Sequence, residues 1–232
     1  RCLAEVRIRN PLDDQQWSDV FKRVLAPNQP QDQSLYLQVT RGVAKRDHAI
    51  PKNIEPTVFV MANLMQAPAK DLEKTGVDAV SCVDNRWANC HIKSISLLAN
   101  ILLKQQAVDQ NAVEAILIRD GYVTEGSASN VFIVKNGVII TPPKGEKLLP
   151  GITRDLIIEL ALQNGLSCEQ RDIAEAELFD ADEVWISSSL KEVLPVVNIN
   201  GKPVSTGIPG PVWKRLWDYY QAFKQSLRNN SS

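Results

Sequence analysis

TEGSASNVF, Thr124 to Phe132, places a carboxylate, a glycine and small hydroxyls just ahead of an apolar run. Taken alone, a Glu before a Gly-Ser pair reads as a solvated loop residue. Its surroundings argue otherwise. Upstream, AVEAILI (Ala112 to Ile118) has the length and composition of a strand and leads into the turn Arg119-Asp120-Gly121. Downstream, Val131 to Val134 reads as a strand, Asn136-Gly137 as a two-residue hairpin turn and Val138 to Ile140 as the returning strand. Glu125 is therefore expected at the mouth of a sheet. A carboxylate facing inward there needs a cation or hydrogen-bond donors to stay ionised.

Outward from this hairpin the pattern is mixed. Leu12 to Ala26 reads as an amphipathic helix capped by Asp13 or Asp14, with Trp17, Val20, Phe21, Val24 and Leu25 at helical spacing. Strands are expected at Leu35 to Thr40 and Thr57 to Leu64, separated by the polar loop GVAKRDHAIPKN. Gln66-Ala67-Pro68 marks a linker between a small domain, 1–65, and a large one, 69–232. In the large domain Val77 to Val83, Glu183 to Ser187 and Val193 to Ile199 read as extended. Ser94 to Gln110, Thr153 to Asn164 and Pro211 to Leu227 read as helices, and Asn200-Gly201 as a second hairpin turn. The last helix carries Trp213, Leu216, Trp217, Tyr220 and Phe223 on one face, a core stripe. The fold class is α+β in two domains.

Composition narrows the function. The chain has 232 residues, 44% of them hydrophobic and 23% charged, and 26 basic against 27 acidic residues give a net charge of −1. No basic stripe interleaved with aromatics is present, which argues against nucleic acid as a partner. No apolar run has the length of a membrane span. The four cysteines form no C-x-x-C pair, and His48 and His91 are the only histidines, so a metal centre is not expected. The cysteine usage fits reduced thiols and a cytoplasmic protein. The chain opens Arg1-Cys2-Leu3 without a charged-then-apolar leader, so no secretion signal is expected.

Four features could carry chemistry. Lys93 lies in CHIKSISLLANILLKQQA, directly before an apolar helix with Ser94 as its expected cap. Partial burial and the positive helix end would lower its pKa and make it a Schiff-base amine. In LLPGITRD, Gly151-Ile152-Thr153 opens a helix whose unpaired amides and Thr153 hydroxyl suit a phosphate. Ser187-Ser188-Ser189 follows the strand EVWI and could close the other side of that anion. Arg46 and His48, two apart in KRDHAIP, point together and could clamp a carboxylate. With Glu125, these features match a pyridoxal 5'-phosphate site: an amine for the aldehyde, a carboxylate for a ring nitrogen, donors for a phosphate and a guanidinium for a substrate carboxylate.

YLQVTRGVAKRDHAIP, CHIKSISLLANILLKQQA, TEGSASNVF, LLPGITRD and SSSLKEVLPV, in that order, closely resemble D-amino acid aminotransferases. These are fold-type IV pyridoxal phosphate enzymes, and the resemblance runs over nearly the whole chain. It implies that Lys93 holds the cofactor and shuttles a proton at the substrate Cα. Glu125 would keep the pyridine nitrogen protonated, Gly151, Ile152, Thr153, Ser188 and Ser189 would bind the phosphate, and Arg46 and His48 would trap the α-carboxylate. It further implies an amino acid and a 2-oxo acid as substrates, and a homodimer.

The chain departs from the family pattern twice. An acidic residue usually stands two before the lysine, where this chain has His91. Family members also carry several dozen residues before the stretch at Leu3-Ala4-Glu5, including a phosphate-binding arginine. The small domain is thus expected to be incomplete at its N-terminus, either because the chain is a fragment or because the domain has been shortened. Three readings follow: transamination of a D-amino acid; a branched-chain or amine transaminase or aminodeoxychorismate lyase on the same fold; or a truncated, non-catalytic dimerisation or binding module.

Overall fold

The computed structural model describes residues 1–65 and 72–230. The chain divides into two compact units, Arg1–Ala67 and Pro68–Ser232. Gln66-Ala67-Pro68, expected as the linker, lies outside the described residues.

The first unit holds a short helix α1 (Cys2–Glu5), the amphipathic helix α2 (Asp14–Leu25) and strands β1 (Gln33–Thr40) and β2 (Thr57–Leu64). Asp13 begins α2 through a reciprocal capping box: its Oδ1 accepts from the Gln16 amide at 2.8 Å, and Gln16 Oε1 accepts from the Asp13 amide at 2.9 Å. β1 and β2 are antiparallel with Gln33 opposite Leu64 and Thr40 opposite Thr57. The loop between them carries Arg46 and His48, both exposed.

The second unit contains α3 (Leu72–Thr75), β3 (Val77–Val83), α4 (Leu98–Asp109), β4 (Glu114–Arg119), β5 (Tyr122–Gly126), β6 (Asn130–Lys135) and β7 (Val138–Thr141). There follow α5 (Ile152–Gln163), β8 (Cys168–Gln170), α6 (Glu175–Phe179), β9 (Glu183–Ser188), β10 (Glu192–Ile199), β11 (Lys202–Pro203) and α7 (Pro211–Asn230). The strands form one mixed sheet in the order β5-β4-β3-β10-β9-β6-β7-β8, with β11 beside β10. β3 and β4 are parallel and joined through α4, a βαβ unit within an otherwise α+β arrangement. The two Asn-Gly turns form as expected: Asn136 and Gly137 have φ of 51° and 77°, Asn200 and Gly201 of 54° and 72°. Both residues of such a turn need positive φ, which Asn tolerates and Gly adopts freely.

Strand order dictates the sheet's shape. β5 and β6 are five strand spacings apart, about 24 Å in a flat sheet. Yet only Ser127 to Ser129 join them, and Gly126 to Asn130 can span at most ~15 Å. The sheet must therefore roll, and it does: the Gly126 amide donates to the Ser129 carbonyl at 2.7 Å. Rolling buries both faces of the central strands, which is why they read as continuous apolar runs. On β6, Val131 and Ile133 join the cluster that includes Ile116, Val123, Ile140 and Ile186. Phe132 and Val134 face Ile157 of α5 and Trp213 and Leu216 of α7 instead. The expected α7 stripe is core: Trp213, Leu216 and Tyr220 are buried, and Trp217 stacks on Trp213 at 5.6 Å.

One buried carboxylate fastens α7 to the sheet. Glu183 Oε1 accepts from the Val212 amide at 2.8 Å, and its Oε2 from the Trp213 amide at 2.8 Å and Trp185 Nε1 at 3.0 Å. Two orphan amides of the helix start are thus satisfied from a neighbouring strand, with a negative charge at the positive helix end. Glu183→Ala should cost about 3 kcal/mol, combining a lost cap with stranded buried donors. The check is a urea unfolding midpoint that falls at unchanged slope, with Glu183→Gln recovering part of the loss.

Candidate active site

Rolling the sheet puts Glu125, next to last on β5, in the interior at 4% exposure. Its partner is Arg86, in the loop after β3: Arg86 Nη1 lies 2.5 Å from Glu125 Oε1. Arg86 also grips Asp84 with two hydrogen bonds, Nε to Oδ1 and Nη2 to Oδ2, each 2.9 Å. Asp84 in turn accepts from Thr124 Oγ1 at 2.9 Å and pairs with Arg119 at 3.0 Å. The result is a row of alternating charge, Arg119, Asp84, Arg86, Glu125, buried apart from the partly exposed Arg119 and with a cation beside each carboxylate. The second oxygen of Glu125 accepts from the Leu149 amide at 3.0 Å and lies 3.4 Å from Asn130 Nδ2.

Burial pushes Glu125 up to about 7, and the opposing pull of Arg86 does not restore an ordinary carboxylate. Asp84 is also desolvated, but its two-point grip on Arg86 outweighs this and holds it below the usual range. Arg86 is raised: burial alone would lower it, and the hydrogen bonds and charges of Asp84 and Glu125 overcome that. The signs set opposite pH dependences. A carboxyl raised in the folded state gives most stability in acid and loses it as pH rises from 4.5 to about 7. For Glu125 the change is on the order of 3 kcal/mol. Asp84, being lowered, loses its contribution instead as pH falls below the carboxylate range. Unfolding free energies of the cofactor-free chain between pH 5 and pH 8 should decline by that amount, and Glu125→Gln should flatten the decline. An equal decline in the variant would assign it elsewhere.

The serines of the opening stretch have a different partner. Ser127 Oγ and Ser129 Oγ both donate to Glu114 of β4, Ser129 at 2.8 Å. Lys191 Nζ lies 3.8 Å from the same carboxylate.

The phosphate-binding candidates meet the same corner. Gly151 is the N-cap of α5, and Thr153 in its first turn is buried while Ile152 is 81% exposed. A Cβ on Gly151 would fall 2.3 Å from Asn130 Oδ1, so only glycine allows this approach. Asn130 sits opposite Ser187 across the β6–β9 ladder. Ser187 Oγ is buried with no hydrogen-bond partner among the described residues. Ser188 ends β9 half-buried, its Oγ accepting from the Lys191 amide at 3.3 Å, and Ser189 is exposed in the following turn. Arg154, fully buried, holds the start of α5 to the sheet through the Pro142 carbonyl at 2.7 Å and Gln170 Oε1 at 3.0 Å.

Lys93 differs from expectation in its setting. It is exposed, and α4 begins only at Leu98, with Leu97 as N-cap and no side-chain cap. Ser94 does not cap the helix; its Oγ accepts from the Ser96 amide at 3.4 Å within the loop. The loop engages its own backbone instead, through Ile92 to Asn89 and Leu97 to Ile95, and the Cys90 amide donates to the Glu146 carbonyl at 2.8 Å. That last bond and Arg86 Nη2 to the Lys147 carbonyl, 3.3 Å, tie the Lys93 loop to the segment leading into Gly151. Arg46 and His48 belong to the first unit, where the His48 amide donates to Asp47 Oδ1 at 2.6 Å.

Sequence reasoning required a cation or hydrogen-bond donors for Glu125 without naming them; Arg86 and the Leu149 amide fill that need. Arg86, Asp84 and Asn130 went unrecognised; the signal for Arg86 was a lone arginine in a turn directly after a strand, VSCVDNR.

Among the described residues no group of three or more His, Cys, Asp or Glu could hold a metal ion, and no helix is long and apolar enough to cross a membrane. Residues 1–199 match the family described as Amino-transferase class IV. The chain is 42% identical to the D-alanine aminotransferase of Bacillus licheniformis over 216 residues, 93% of this chain and 76% of that protein. It is 37% identical to the Staphylococcus haemolyticus D-alanine aminotransferase, over 97% of this chain and 80% of that protein. Among solved structures, the branched-chain amino acid aminotransferase of Escherichia coli superposes with a TM-score of 0.87 at 26% identity, covering 95% of this chain and 75% of that one. The match over residues 1–199, together with relatives this similar across nine-tenths of the sequence, places the chain in the amino-transferase class IV family.

Proposed function

We propose that this chain transfers an amino group between a D-amino acid, of the D-alanine or D-glutamate class, and a 2-oxo acid, with pyridoxal 5'-phosphate as cofactor. The observation that carries this reading is Glu125, a buried carboxylate paired with Arg86, in a chain whose relatives are D-alanine aminotransferases. The residues fit the cofactor. The buried Ser187 hydroxyl has no hydrogen-bond partner among the described residues, and Gly151 lets the start of α5 approach Asn130 more closely than a Cβ would permit. When bound, the cofactor supplies an electron sink for the charge that develops at the substrate Cα.

The chain's own groups do the rest. The Lys93 amine holds the cofactor and carries the proton to and from Cα. Glu125 keeps a proton at the ring nitrogen, backed by Arg86. The amides and hydroxyls of Gly151, Ile152, Thr153, Ser188 and Ser189 bind the phosphate. Arg46 and His48 receive the substrate α-carboxylate. A homodimer is part of the proposal, supported by an apolar ridge in which Ile95, Leu98, Ile101 and Leu102 are each more than half exposed. So is a cytoplasmic location, which the thiols of Cys82, Cys90 and Cys168 suit.

The test is turnover of D-alanine with 2-oxoglutarate beside turnover of L-leucine and L-valine. D-alanine should be preferred, and Arg46→Ala should raise its KM at least about tenfold, the worth of a charge-assisted hydrogen bond. Preference for the L-amino acids would replace this reading with that of the branched-chain enzymes its fold also resembles. An unchanged KM would remove Arg46 from the carboxylate site.

A further inference from the structure

Among the described residues, Asn130 is a side chain that touches both groups of candidate residues. Its Nδ2 donates to the Leu149 carbonyl at 2.8 Å and reaches Glu125 Oε2 at 3.4 Å. Its Oδ1 fills the space where a Cβ of Gly151 would stand. The same Oε2 accepts from the Leu149 amide at 3.0 Å, so Leu149 and Asn130 approach a single carboxylate oxygen together. Asn130 is 5% exposed, so its carboxamide is satisfied within the protein by these contacts. It is fixed from below as well, at the start of β6 opposite Ser187 of β9.

The residue type matches the task. A carboxamide offers two donors and an acceptor on one flat group, and here the donors face two oxygens while the oxygen faces the glycine at the helix start. Asp would keep the shape, lose both donors and set a second carboxylate against Glu125. Ser or Ala would be too short to reach from β6 to the loop.

We propose that Asn130 is a positioning residue that holds the ring-nitrogen carboxylate, Glu125, and the phosphate-binding helix start, Gly151 to Thr153, in one fixed relation. The proposal rests on the assignment of those two ends in the preceding section. It adds that a single carboxamide sets both, so that one substitution disturbs two places. Neither a bond nor a proton changes hands at Asn130.

The experiment uses the full chain without cofactor. The Glu125 carboxyl is followed by carbon-13 NMR against pH, and inorganic phosphate binding by calorimetry, in the wild type, Asn130→Ala and Asn130→Asp. Both variants should move the Glu125 midpoint upward, Asn130→Ala by about half a pH unit for a weak donor lost and Asn130→Asp further. Both should also weaken phosphate about fivefold, the effect of one lost hydrogen bond. A merely structural residue would lower stability without moving the Glu125 midpoint. If only one readout moves, or neither does, the coupling is overturned. Asn130→Asp, nearly isosteric, supplies both readouts should Asn130→Ala not fold. Failure of the underlying assignment has its own mark: phosphate binding indifferent to Thr153→Ala, or absent in the wild type, overturns the cradle and the coupling with it.

Discussion

Lys93→Ala is expected to abolish transamination, with D-alanine turnover falling by about 10⁴-fold, the upper range for removing a proton-transfer group, and further for loss of the covalent tether. The absorbance band of the lysine-bound cofactor near the visible edge should vanish with it. The effect should be confined to chemistry. Lys93 is exposed in an irregular loop, and substitutions at such positions change stability by no more than about 0.5 kcal/mol. An unchanged thermal midpoint of the cofactor-free chain beside a lost band and lost turnover is therefore the expected signature. A band that survives the substitution would show that another amine holds the cofactor, and the role given to Lys93 would fall.

The second large effect is on folding. Arg86→Met should cost about 3–5 kcal/mol, the usual consequence of deleting one partner from a buried ionic group. Asp84 and Glu125 side chains are 0% and 6% exposed, and the variant leaves both without the guanidinium that joins them. Arg119 still neutralises Asp84, and the Leu149 amide still reaches Glu125, so the loss falls short of two isolated charges. Its pH dependence is diagnostic. At pH 5 Glu125 is protonated and demands little of Arg86; at pH 8 it is ionised and demands most, so the cost should grow with pH. Urea unfolding at both values measures this, and adding Glu125→Gln should recover part of the loss at pH 8. A variant as stable as the wild type at pH 8 would mean that the row of charges contributes nothing to folding.

Much of this was legible in sequence because it is local. The Asn136-Gly137 and Asn200-Gly201 turns need only their own backbone angles, and the α7 stripe only a helical period. The central strands announce themselves because the rolled sheet buries both faces of Val131 to Val134 and of Val184 to Ile186. What could not be read depends on distant partners. β5 ends in Glu125 and Gly126, residue types depleted in strands, and this end is held extended because Gly126 pairs with Ile116 of β4. The start of α4 was misplaced because the loop amides near Ser94 bond within the loop and to Glu146. The candidate site was read as an ordered set of residue types, Lys93, Glu125, Gly151 and Ser188. Its second layer, Asp84, Arg86 and Asn130, was not, since a charge 39 positions from its partner leaves no periodic trace.

The rolled sheet also has a kinetic and thermodynamic meaning. Gly126 and Asn130 are neighbours in sequence, yet β5 and β6 reach their places only through β4, β3, β10 and β9, so strands from the last quarter of the chain must pair before Glu125 is enclosed. Contacts of such separation form slowly and late. A ligand held at this corner binds only chains that have completed the whole sheet, so by mass action its occupancy measures folding of the entire second unit. Substitutions far from the corner, at Glu183 for instance, should then lower apparent cofactor affinity wherever they leave the unit only partly folded.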